Sequence, residues 1–179
     1  MDLVPTTPGS RMPHMPRSLT RPQRSLILAP EHLAAITAQA WMWCPLETGG
    51  LLLGYTHDNH TFVTHVIGPG PNATHSGCRF EPDDTWQAAE VARIWHTDPT
   101  IAYLGDWHTH PGGSPKPSSL DRATLRQIAV DPGARQGTPI MLIVALNDRG
   151  SSTPAAVQRR ADQRITSIAI RVPKPTDNP

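Results

Sequence analysis

GDWHTHPGGSPKPSSLD, residues 105–121, is the stretch on which the reading of this chain turns. It divides into three parts. Ile101 to His110 reads as a strand, and Ser118 opens a helix that runs to about Val130. Between them, residues 111–117 carry three prolines and two glycines, which makes an irregular loop. Strand side chains alternate faces, so His108 and His110 leave the same side, about two residue rises apart. Pro111 ends the strand directly after them and sets the pair at its tip. Asp121, Leu125 and Ile128 then share one helical face at i, i+4 and i+7. A carboxylate on an otherwise apolar face is costly to bury unless it is paired or bound to metal. A cation held by the two imidazoles would be such a partner.

Upstream, Glu47-Thr-Gly-Gly50 leads into the apolar run Leu51–Tyr55, a buried strand. His57-Asp58-Asn59-His60 reads as a turn and Thr61–Ile67 as the hairpin partner. Before these, Ser25–Leu28 is a short strand. Pro30 suits a first helical turn, and Leu33, Ile36, Ala40 and Trp43 follow at helical spacing until Cys44-Pro45. Residues 68–79 read as a Gly/Pro/Ser/Asn-rich loop. Glu81-Pro82-Asp83 opens a second helix, expected to group Ala88, Val91, Ala92 and Trp95 on one face. Ile140–Leu146 is a strong central strand, and Ala155–Arg159 and Ile165–Val172 are two more. Helices interleave with strands, some of them adjacent hairpin strands. This predicts an α/β (mixed α+β) class in which a mixed sheet is sandwiched by helices.

The 179 residues suit one domain with a real hydrophobic core. Residues 1–24 hold five prolines and residues 173–179 three, with almost no apolar periodicity, so both ends read as disordered tails around a folded domain at 25–172. Arg11, Arg17, Arg21 and Arg24 against Asp2 make the first tail basic, which fits a solvated tail or a weak docking segment. Overall, 16 basic and 15 acidic side chains give a net charge of +1, so no charge-driven attraction to nucleic acid or membrane is indicated. No apolar run approaches the ~20 residues of a membrane span, and the start lacks a signal-peptide core, so a cytoplasmic protein is expected. Cys44 and Cys78 form neither a disulfide framework nor a zinc finger, and two reduced thiols are expected.

Three N/O ligands are the usual way for a zinc hydrolase to leave one tetrahedral position open for water. His108, His110 and Asp121 would supply three, and Glu47 remains as a proton-handling carboxylate. Each also has a plainer reading. Ser118-Ser-Leu-Asp121 is a helix capping box, although Asp121 in a first turn can cap and ligate together. His-x-His suits a surface strand, and Glu47 an acid at a strand entrance. Asp106 shares the parity of the histidines and reads as a strand-edge acid, or alternatively as a carboxylate orienting an imidazole. Trp107 points to the opposite face and reads as core. His57, His60, His65 and His75 lack ligand spacing and read as surface residues, and Cys44 is set aside because the ligand set is complete without it.

The order Glu, His-x-His, seven residues, Ser, two residues, Asp closely resembles the JAMM (MPN+) metallopeptidases, with every motif position filled. The resemblance covers most of 25–172 and is strongest at 47–55 and 105–121. "ETGGLLLG" and "GDWHTHPGGSPKPSSLD" look most like the bacterial JAB branch. That branch includes stand-alone peptidases encoded beside relatives of ubiquitin-activating and conjugating enzymes, some in CD-NTase anti-phage operons. The resemblance implies a single MPN/JAB-like domain of cytidine deaminase-like architecture. It implies one zinc ion per chain, held by His108, His110 and Asp121, with a water as fourth ligand whose pKa falls to about 7. Glu47 would deprotonate that water and pass the proton to the departing amine. Ser118 would hydrogen-bond the oxyanion or position the water. The bond cut in such enzymes is the amide after the C-terminal glycine of a ubiquitin-like protein. Implied partners are such a conjugate and relatives of the conjugating enzymes, with no nucleic acid or membrane. A catalytically silent MPN-type scaffold is one alternative, but such members typically lack ligands. A RadC-like protein shares the His-x-His-Pro…Pro-Ser-x-x-Asp segment but usually carries an extra upstream helical segment. A third alternative keeps the peptidase and makes a sulfur-carrier protein its substrate. Residues 68–80 and 111–117 are expected to flank the cleft and grip an extended tail.

Overall fold

The computed structural model describes residues 24–174. Apart from Arg24, Pro173 and Lys174, the tails expected over 1–24 and 173–179 lie outside the described residues. The described elements run β1 (Ser25–Leu28), α1 (Pro30–Trp43), β2 (Gly49–His57), β3 (His60–Ile67), β4 (Thr74–His75) and β5 (Phe80–Glu81). They continue with α2 (Asp84–Thr97), β6 (Ala102–Pro111), α3 (Ser119–Val130), β7 (Ile140–Leu146), β8 (Ser152–Arg159) and β9 (Ile165–Arg171).

The mixed sheet expected from the element order is present, in the order β1-β3-β2-β6-β7-β8-β9. It goes further than expected and closes into a barrel. Short β1 runs parallel to β3 on one side, with Ser25 opposite His60, and parallel to β9 on the other, with Ser25 opposite Ala169. None of the helices, among the described residues, is long and apolar enough to cross a membrane.

Helices cover both faces. On one face, Leu33, Ile36 and Ala40 of α1 pack with Leu52, Trp107, Leu142 and Val144. On the other, Ile94 of α2 packs with Leu53 and Ile67, and Leu125 of α3 with Met141, Ile143 and Val157. Strand β7 therefore has to be apolar on both sides, and all seven of its residues are buried.

Two expectations are corrected. The segment 68–79 is not wholly loop, because Thr74-His75 pairs antiparallel with Phe80-Glu81 as a small hairpin. Helix α2 also buries a different face. Ala88, Ala92 and Trp95 are exposed, while Gln87 and Ile94 are buried and Val91 is half-buried. The reason is a buried hydrogen bond: the Gln87 amide donates to the Gly68 carbonyl at 2.8 Å, so a polar residue faces the sheet at no desolvation cost.

Candidate metal centre and cleft

Strand β6 lies between β2 and β7, so its side chains address the two helical layers. Its register is interrupted near Gly105, whose φ is +144°, where the pairing with β2 shifts by a residue. The irregularity resets the alternation. Leu104 and Trp107 both join the α1 face, while Tyr103 and Asp106 come together and the Tyr103 hydroxyl donates to the Asp106 carboxylate. From Asp106 onward the period of two holds. His108 and His110 share a side, with their Nε2 atoms 3.0 Å apart.

Helix α3 brings Asp121 to them. Its Oδ1 lies 3.3 Å from His108 Nε2 and its Oδ2 3.5 Å from His110 Nε2. The ligand atoms of the three residues all lie within 4.8 Å of one another. Zinc–ligand bonds of 2.0–2.1 Å in a tetrahedron give edges of about 3.3 Å, so this donor set fits one small divalent ion. The outer atoms are fixed too. His110 Nδ1 donates to the Ser114 carbonyl at 2.7 Å, which in the neutral ring leaves the Nε2 lone pair as the one available to a metal. Burial pushes the Asp121 carboxyl up, but the imidazoles of His108 and His110 and the Ser118 N–H outweigh it and hold the group well below the usual carboxylate range. The same contact with Asp121 raises His110 against its burial.

Ser118 is the helix cap that its spacing allows. Its hydroxyl accepts the Asp121 N–H at 3.1 Å, and its own N–H donates to Asp121 Oδ2 at 2.6 Å. Asp121 is thus in both arrangements at once, completing the capping box and facing the histidines.

Glu47 reaches the same place through β2. Gly49 pairs opposite His108, and Thr48 is tied to β6 by the bond from Thr109 N–H to its carbonyl at 2.9 Å. The glycines of "ETGG" are steric necessities here. A Cβ on Gly49 would lie 2.5 Å from the Trp107 carbonyl oxygen and 3.0 Å from His108 Cβ. One on Gly50 would lie 2.0 Å from the Ile67 carbonyl oxygen. Burial raises the Glu47 carboxyl; His108 and His110 pull it back and Asp121 pushes it up again, so all four groups share one field.

These residues open on a cleft of 540 Å³. Glu47, Asp106, His108 and Asp121 line it, Cys78–Pro82 form one wall, and Leu120 and Thr124 of α3 form another. Residues 78–80 of the first expected gripping loop do border the cleft, but residues 111–117 do not line it. They lie behind His110 and supply its carbonyl partner.

Asp106 is not a strand-edge acid. It sits in the middle of the sheet beneath the cleft, where burial raises its carboxyl against the opposing pulls of Tyr103 and His108. Nor is His75 a surface residue: its ring stacks on Trp43 and contacts Phe80, with Nε2 buried. Neither position was legible locally, because one depends on a bulge and the other on a hairpin of two-residue strands. Cys44 and Cys78 are both unbridged and exposed.

The chain is similar to several known proteins. Residues 29–161 match the family described as prokaryotic homologs of the JAB domain. A probable metalloprotease of Sinorhizobium fredii is 38% identical over 123 residues, which are 66% of this chain and 75% of that protein. A CD-NTase/cGAS isopeptidase of Enterobacter hormaechei is 33% identical over 122 residues, 66% of this chain and 67% of that one. Another, from Pseudomonas aeruginosa, is 37% identical over 84 residues, 46% of this chain and 53% of its own length. The solution structure of a Desulfitobacterium hafniense protein superimposes with a TM-score of 0.64 at 20% identity, covering 85% of this chain and 95% of that one, a likeness of fold.

Proposed function

Because the chain belongs to the family of prokaryotic homologs of the JAB domain, and is thereby a metallopeptidase, we propose a narrower activity for it. It is a zinc-dependent isopeptidase or peptidase that hydrolyses the amide after the C-terminal glycine of a ubiquitin-like modifier. The observation that carries this reading is the convergence of three N/O donors, with one ligand atom from each all within 4.8 Å of one another, beside the partly buried carboxyl of Glu47.

His108, His110 and Asp121 would hold the ion. When bound, zinc supplies a Lewis acid and a water acidic enough to ionise near neutral pH. The chain's own residues do the rest. Ser114 and Ser118 hold His110 and Asp121 in place through backbone groups. Glu47, whose carboxyl burial raises above its ordinary value, accepts as the carboxylate a proton from the attacking water. As the water oxygen bonds to the carbonyl carbon and the C–N bond breaks, Glu47 returns that proton to the departing nitrogen. Ser118 accepts a hydrogen bond from the Asp121 N–H, so its hydroxyl hydrogen remains to be donated to the developing oxyanion.

The substrate assignment is supported by the relatives named CD-NTase/cGAS isopeptidases. The cleft between Cys78–Pro82 and Leu120 and Thr124 is where the tail would lie. Relatives of ubiquitin-activating and conjugating enzymes are the partners we infer, in an anti-phage setting. The free, exposed thiols of Cys44 and Cys78 suit a reducing cytoplasm. The silent-scaffold reading is not favoured, since no ligand is missing.

Metal analysis is the first test, with about one zinc per chain expected and its loss in His110→Ala. Incubation with a ubiquitin-like fusion, followed by mass measurement, should show a cut directly after the terminal glycine. Glu47→Gln should keep the zinc and lose cleavage by roughly 100-fold or more. Full activity in that variant would remove Glu47 from the reaction.

A further inference from the structure

We propose that His75 is a positioning residue that clamps the backbone of Glu47 at the edge of the cleft; the inference rests on Glu47 being the proton carrier. Glu47 lies two residues before β2 begins, outside the ladder that β6 provides. Its backbone groups need partners elsewhere. Both come from the hairpin segment. The Glu47 N–H donates to the Ser76 carbonyl at 2.7 Å, and its carbonyl accepts from His75 Nδ1 at 2.9 Å. A carbonyl oxygen only accepts, so Nδ1 carries the ring hydrogen. Nε2 is buried without a protein partner among the described residues, so the ring's polar anchor is Glu47 alone.

The ring that makes this bond is itself immobilised. Trp43, the last residue of α1, stacks on it with centroids 3.5 Å apart and planes 15° apart. Phe80 lies at 5.4 Å on a tilted plane, and its Cε1 is 3.0 Å from where a Gly49 Cβ would be. The end of α1, β4 and β5 thus converge on the one residue that has to meet an attacking water at a defined place. A misplacement of about 1 Å in such a group can cost around 100-fold in rate, which gives a backbone clamp a catalytic consequence without contact with substrate.

Two variants separate the donor from the stack. His75→Phe keeps an aromatic ring between Trp43 and Phe80 and removes Nδ1–H. His75→Asn keeps an N–H donor near the Nδ1 position and removes the ring. With zinc loaded, His75→Phe should lower kcat on a ubiquitin-like fusion roughly tenfold to 100-fold, with KM and zinc stoichiometry unchanged. His75→Asn should recover most of that loss. Amide hydrogen exchange gives a readout independent of turnover: exchange at Glu47 should speed up about tenfold or more in His75→Phe and much less in His75→Asn. Wild-type Glu47 exchange in His75→Phe overturns the proposal. So do an equal loss in both variants, which would leave the Nδ1–H donor no part of its own, and a loss confined to His75→Asn, which would place the effect in the stack. Nitrogen NMR of the wild-type ring adds a check without substitution, and a hydrogen on Nε2 rather than Nδ1 also overturns it. Should Glu47→Gln cleave normally while the exchange pattern holds, the clamp stands and the proton-carrier role of Glu47 falls instead.

Discussion

Asp121 shows how much one side chain can be asked to do. Its carboxylate accepts the Ser118 N–H and also faces two imidazoles, so capping and ligation share one oxygen, Oδ2, while Oδ1 faces His108. The two roles can be separated. Ser118→Ala removes the hydroxyl that accepts the Asp121 N–H and should lower stability by about 1 kcal/mol in urea denaturation. Zinc should still bind, since all three donors remain. Asp121→Asn keeps an oxygen for the Ser118 N–H but loses the charge, so the fold should survive while zinc affinity drops by at least tenfold in a chelator competition. If Asp121→Asn bound zinc as tightly as wild type, the carboxylate would be a cap only. At this scale the sequence was most legible for His108 and His110, which strand parity sets on one side, while Asp121 was joined to them by the order of the whole motif rather than by any local period. It was least legible for Asp106 and His75. Nothing in the local pattern announces that the chain slips a register near Gly105, or that an imidazole will be sandwiched by two residues distant in sequence.

Among the elements, the contact between β2 and β6 matters most to the site, since it sets Glu47 beside the histidines. Its closeness depends on glycine. In Gly49→Ala the new Cβ would press on the Trp107 carbonyl and on His108 Cβ, both backbone or rigidly attached atoms that cannot swing aside. Overpacking of this kind costs about 1–3 kcal/mol, and the strain falls directly on a candidate ligand. We expect a lower urea midpoint together with weaker zinc binding, whereas Gly77→Ala, which meets nothing within 4 Å, should change neither. Equal effects of the two substitutions would show that the close approach is not a constraint. Strands β2 and β7 were readable from the apolar runs Leu51–Tyr55 and Ile140–Leu146, where burial dominates composition, and β3 as the hairpin partner of β2. Helix α2 was readable as a helix but not in its orientation. Alanines bury little surface, so Ala88 and Ala92 do not pull their face inward, and the Gln87–Gly68 hydrogen bond turns the other face to the sheet. The β4–β5 hairpin is two residues per strand, too short to carry a period.

For the molecule as a whole, closure and metal loading bear on the same question of stability. The barrel closes through parallel pairing of β1 with β9, a contact between residues more than 140 positions apart that no local pattern announces. Without the ion, the site sets three donors and Glu47 together. Asp121 raises Glu47, and burial penalises both carboxylates. A divalent ion relieves that opposition only in the folded state, where the donors converge. Binding therefore stabilises the fold by RT ln(1 + [L]/Kd), about 2.7 kcal/mol when free zinc is 100 times Kd. For a folded unit of roughly 150 residues, each kcal/mol shifts Tm by about 2–4 °C. Calorimetry should thus show a rise of roughly 5–10 °C on zinc addition to chelator-treated protein. His110→Ala should abolish the rise. Glu47→Gln should keep it, from a starting Tm at or above that of the metal-free wild type, because a carboxylate that burial disfavours is gone. A zinc-dependent shift that persists undiminished in His110→Ala would place the ion elsewhere in the molecule and detach the cleft from metal chemistry.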